Sequence, residues 1–134
     1  MIDFNGIDIL DGDIDDATLH RGLACALTLP ENRVRIIHDI SDYPERGTAD
    51  AVGVVSSIEG DFPLLLSVQA TPLQLAYDDA LGPIREFCST TGARCLVPDD
   101  EHNPYTMWLV SPDRRTQSVS LDPAALDNER YVLR

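Results

Sequence analysis

The chain has 134 residues, 43% hydrophobic and 25% charged. A chain of this length is expected to form one domain spanning 1–134, burying roughly two thirds of its surface with no disulfide or metal staple. Its 23 acidic residues against 10 basic ones give a formal net charge of -13. Such a charge disfavours nucleic acid and anionic membranes and favours a basic partner, or solubility alone.

The N-terminal "IDFNGIDI" carries Asn5-Gly6 between two short alternating runs. This is a two-residue hairpin signal, although a simple extended strand fits as well. "LDGDIDDATLH" follows, with Asp11, Asp13, Asp15 and Asp16 close together. Read as a calcium loop from Asp11, the stretch has Asp16 where a turn glycine belongs and Gly22 where a bidentate glutamate belongs, so that reading fails. A helix start explains more: Asp13 is the expected N-cap, and Asp15 and Asp16 meet the positive end of the helix dipole. From Ile14 to Leu29 the pattern is helical, with Leu19, Leu23, Ala26 and Leu27 on one stripe and Pro30 as the stop.

"RVRIIHDI" reads as a strand and "DYPERGTAD" as a loop. "AVGVVSSI" and "FPLLLSVQA" read as strands joined through "EGD". The unbroken apolar run in "PLLLSV" points to a central strand covered on both sides. "ATPLQLAYDDALGPIREFCSTTG" is expected to be helical, with Thr71 as N-cap, Pro72 at the first position and Gly92 at the close. Leu73, Tyr77, Ala80, Ile84 and Phe87 share a face, and Gly82-Pro83 should kink or split the helix. "ARCLV", "YTMWLVS" and "TQSVSL" are further strands, "DDEHNP" is a loop, and "DPAAL" opens a short helical turn. The expected class is α+β, with two main helices on a mostly antiparallel sheet of about six strands.

No catalytic motif emerges. There is no G-x-S-x-G elbow, no C-x-x-C, no P-loop lysine and no His pair at helical spacing. Cys25, Cys88 and Cys95 each sit among apolar residues and read as buried free thiols of a reducing compartment. His20, His38 and His102 do not converge in the sequence, so no metal or other cofactor is expected. "MIDFNG" has no signal-peptide character and no apolar run spans a bilayer, so a cytoplasmic protein is expected.

Surface remains. Two loops combine acids with aromatics: Asp39, Asp42, Tyr43 and Glu45 in one, and Asp99, Asp100, Glu101 and Tyr105, with Trp108 beyond, in the other. Carboxylates beside Tyr or Trp suit an interface for a basic protein. The plainer reading is solvated turns with the rings packed inward, and it is the stronger one for Trp108 in mid-strand.

In layout, "LPENRVRIIHDISDYP", "EGDFPLLLSV", a helix and then "GARCLVPDDEHNPYTMWLVSPD" resemble the small acidic immunity proteins of bacterial contact-dependent inhibition and related polymorphic toxin systems. That class shares no motif, so no residue roles carry over. The resemblance implies a cytoplasmic, non-enzymatic protein that binds one toxin domain, such as a nuclease, and blocks it. Two alternatives remain: an intracellular assembly factor or secretion chaperone for a basic client, and a small metal-dependent enzyme.

Overall fold

A computed structural model describes residues 14–45, 47–70, 81–99, 103, 105–128 and 130–134, and residues 7–10 as backbone. The Asn5-Gly6 turn, the Asp13 cap and the Thr71-Pro72 helix start expected from the sequence lie outside these residues.

The first strand, β1 (Ile7–Leu10), leads to the first helix, α1 (Asp16–Leu27). The cap is Asp15, two residues later than expected, and its carboxylate accepts the Thr18 N–H at 2.8 Å. This satisfies one of the orphan donors of the first turn. It also holds the Asp15 carboxyl below its ordinary value, chiefly through the bond to Thr18. The helix stops at Thr28, which is left-handed at φ 57, where the Leu29 N–H returns to the Ala24 carbonyl at 2.9 Å. The stripe expected from the sequence is the buried face: Leu19, Leu23, Ala26 and Leu27 are all at most 1% exposed.

Then come β2 (Val34–Ile37), β3 (Ala51–Ser57) and β4 (Leu64–Ala70), followed by α2 (Gly82–Thr91), β5 (Cys95–Pro98), β6 (Thr106–Val110), β7 (Thr116–Ser120) and a short α3 (Pro123–Leu126). α2 carries Pro83 in its first turn and is capped by Gly92, left-handed at φ 77; the helical stretch expected before Gly82, and with it the expected kink or split, lies outside the described residues. The strands form one sheet in the order β2-β3-β4-β1-β5-β6-β7. It consists of two three-stranded units, β2-β3-β4 and β5-β6-β7, joined through β1. Every pairing is antiparallel except β2 with β3. The α+β class and the antiparallel majority were legible in the sequence. The parallel edge pair was not.

That pair determines where the loops go. β1, β2 and β3 run in one direction, so α1 carries the chain from β1 across to the β2 edge, and the β2–β3 connection brings it back. Crossovers between parallel strands are overwhelmingly right-handed. Two of them moving in opposite lateral directions must therefore lie on opposite faces. β4 and β5 are likewise parallel, with β1 inserted between them, and the same rule puts α2 beside α1.

The helix-covered face carries the main core: Leu19, Leu23, Leu27, Val34, Val55, Leu66, Val68, Phe87 and Val110 among others. Alternate residues point to the second face, where Phe62, Leu96, Met107, Leu109 and Leu121 form a separate cluster, with Leu65 and Tyr131 against it. The C-terminal segment closes over this cluster. Gly60 pairs with Tyr131 and Leu121 with Leu133, and the Asp122 N–H donates to Val132 O at 2.8 Å. Gly60 is required there: its φ is +122, and a Cβ would stand 2.9 Å from the Tyr131 backbone.

Two expectations about thiols and aromatics are resolved. Cys88 and Cys95 are buried, but Cys25 is exposed on α1 and donates to Glu86 Oε1 at 3.4 Å. Its apolar neighbours belong to the buried stripe, and Cys25 itself lies off it. Trp108 is half-buried in β6 and pairs with Val97 and Ser118.

Candidate partner-binding surface

The β2–β3 connection, described over residues 38–45 and 47–50, lies against Val52 and Gln69 on the second face of the sheet and is tied down at both ends. At its start, His38 Nε2 lies 2.9 Å from Asp16 Oδ2 in the first turn of α1. Asp39 then caps a single 3-10 turn over Ile40–Asp42. Its Oδ1 accepts the Ser41 N–H at 2.9 Å, which, with the bonding to Ser41 as first cause, keeps the Asp39 carboxyl below its ordinary value. The Tyr43 N–H donates to Ile40 O at 3.1 Å. Pro44 biases Tyr43 toward extended backbone, and Tyr43 sits at φ -58, ψ 130.

The far end is held by Arg33. Its Nε and Nη2 grip the Asp50 carboxylate in a two-pronged pair, each at 3.1 Å. Nη2 also donates to Gly47 O at 3.0 Å and Nη1 to Thr48 O at 3.3 Å. The Asp50 N–H donates back to Arg33 O at 2.8 Å. The guanidinium bond holds the Asp50 carboxyl below its ordinary value and raises Arg33 in turn. A planar donor fork suits this arrangement and an ammonium would not.

Between the two anchors the chain presents Ile40 at 63% and Tyr43 at 43% exposure, the exposed large hydrophobics among the described residues. Asp39, Asp42 and Glu45 are exposed beside them. The loop thus brings together all four residues that the sequence marked in it and adds Ile40, which the sequence reading missed. The sequence placed Ile40 in the strand "RVRIIHDI", in alternation with Ile36, but β2 ends at Ile37 and Ile40 opens the 3-10 turn instead.

Below the loop lies an open pocket of about 480 Å³. Its floor is the cross-strand pair Val52 and Gln69, on the face opposite α1. Tyr43, Pro44, Glu45 and Ala49 form its sides.

The second marked loop is different. Asp99 is buried at 8% exposure, so it is not a surface acid in the free chain. Tyr105 is half-buried, with its N–H donating to Asn103 Oδ1 at 2.9 Å. Asp100 and Glu101 lie outside the described residues. β4 and β1 stand between β3 and β5, which is about 14 Å of sheet at roughly 4.8 Å per strand. The sheet does not bring the two loops together.

Among the described residues, no group of three or more His, Cys, Asp or Glu is placed to hold a metal ion. Among the same residues, no helix is long and apolar enough to cross a membrane. Comparison with protein-family models, with curated proteins and with solved structures finds no match.

Proposed function

We propose that the chain is a non-enzymatic inhibitor that binds a basic toxin domain in the cytoplasm, with the β2–β3 connection as its contact surface. The observation that carries this reading is the exposure of Ile40 and Tyr43 on a loop pinned at both ends and flanked by acids. Large exposed apolar side chains supply the area that slows dissociation. A loop already held by Arg33 and Asp39 loses little further freedom on binding. The net charge of -13 accelerates encounter with a basic cleft such as that of a nuclease. Asp100, Glu101 and Tyr105 belong to this reading only as a second, separate contact.

The test is titration of a folded toxin domain taken from any toxin gene that adjoins this one, at low and at high salt. Tight binding whose association slows with salt is expected, with Ile40→Ala and Tyr43→Ala each weakening it at least about tenfold, as anchor residues do. No binding at micromolar protein would refute the proposal. Binding only to an unfolded or export-targeted segment would favour a chaperone instead.

A further inference from the structure

The pocket beneath the loop has a chemistry of its own. Pro44, Ala49 and Val52 make its inner surface apolar, and Val52 is only 3% exposed. Tyr43, Glu45 and Gln69 are the exposed residues that supply its aromatic, acidic and amide lining. A ligand for this site needs a slender apolar stem and a cationic, planar head. The stem packs on proline and alanine, whose side chains are only half-buried. The head meets a ring face and a carboxylate, both of which attract cations. An anion would enter against Glu45 and the field of a chain carrying -13.

We infer that this pocket receives one arginine side chain of the basic partner. Arginine fits better than lysine because a guanidinium is weakly hydrated, stacks on a tyrosine ring and pairs with a carboxylate through two donors. An ammonium keeps its water and does neither. The volume, about 480 Å³, lies within the range of ligand pockets, roughly 300–1,000 Å³. The inference rests on the proposed binding role and names the group that the surface would recognise. Arg33 acts here as a positioning residue, because its bonds to Thr48 and to the lining residues Gly47 and Asp50 hold that stretch of the pocket wall.

The probe is the peptide acetyl-Gly-Arg-Gly-amide, titrated into the nitrogen-15-labelled full chain. Amide shifts should saturate in the millimolar range, at about 1–10 mM, and should be confined to Glu45, Gly47, Ala49, Asp50, Val52 and Gln69. The same peptide with citrulline, a neutral isostere, should bind at least about tenfold more weakly, and the lysine peptide should fall between them. Glu45→Gln should weaken the arginine peptide without altering the spectrum elsewhere, and Val52→Phe should abolish its binding by filling the floor. Because Val52→Phe could unfold the chain, the surface variant Glu45→Gln is the decisive one. No shift at these amides by about 20 mM, equal shifts with citrulline, or equal affinity for lysine would overturn the inference. If the arginine peptide fails while the toxin domain binds with salt dependence, the pocket inference falls and the functional reading stands. If the peptide binds and the toxin domain does not, the pocket survives and the functional reading falls.

Discussion

Replacing Gly22 with alanine should destabilise the chain, against the usual trend. In an exposed helix interior this change stabilises by about 0.5–1 kcal/mol, because glycine loses more backbone freedom on folding. Gly22, however, faces α2. A Cβ there would stand 2.5 Å from Thr91 Cγ2 and 3.0 Å from two ring carbons of Phe87, where carbons prefer about 3.5–4.0 Å. Phe87 is 2% exposed and cannot swing into solvent. Overpacking of this kind costs about 1–3 kcal/mol. The steric cost outweighs the gain in backbone entropy, leaving a net loss of about 1–2 kcal/mol, which for a chain of this size lowers Tm by about 4–8 °C. Urea and thermal unfolding followed by circular dichroism measure both. Thr91→Ser supplies the internal control: it removes the methyl nearest the new Cβ and keeps the hydroxyl, which donates to Phe87 O at 2.9 Å and accepts from the Ala93 N–H at 3.2 Å. The double variant should recover part of the loss, with a coupling of about 0.5–1 kcal/mol. A Gly22→Ala chain as stable as the parent, or strictly additive effects, would refute the close α1–α2 contact.

Three further outcomes follow from the packing and the caps. Phe62 is fully buried in the second-face cluster, with the Arg94 guanidinium 5.6 Å from its ring centroid, so Phe62→Ala should cost about 3–5 kcal/mol. Hydrogen exchange should show protection lost first in residues 121–134, whereas uniform loss would mean that the C-terminal segment is not a separate layer. Asp15, Asp39 and Asp50 have carboxyls held below their ordinary value by the bonds they accept. As pH falls the unfolded chain takes up these protons first, so their stabilisation is complete above the unfolded value near 3.9 and is lost as pH drops through the lower folded values. Falling charge also relieves repulsion across the chain. The local effect is therefore the difference from Asp15→Asn and Asp50→Asn, whose urea midpoints should fall less steeply below about pH 4; parallel profiles would disprove the Asp15 cap and the Arg33–Asp50 pair as sources of stability. Iodoacetamide on the native chain should modify Cys25 and spare Cys88 and Cys95, and mass spectrometry showing Cys88 or Cys95 modified equally fast would contradict their burial.

Among the described residues, the residue pattern by itself determined the type of most segments and the buried face of α1. The stripe of Leu19, Leu23, Ala26 and Leu27, the strands on either side of "EGD" and the stop at Gly92 all rest on interactions within a few residues. Periodicity reports a face, however, and not the partner on it. The insertion of β1 between β4 and β5, and the return of β3 parallel to β2, are pairings between distant segments that leave no mark in either run. The cap shows the same limit on a small scale: Asp11, Asp13, Asp15 and Asp16 are all chemically able to cap, and the geometry settled on Asp15. Burial of Asp99 and exposure of Cys25 also depended on what packs nearby. The acids and Tyr43 of the candidate surface were visible as a loop composition. That Ile40 stands out beside them, that Arg33 pins the loop, and that Val52 and Gln69 line a pocket with it were decided only by where the β2–β3 return lies, on the face opposite α1 and α2.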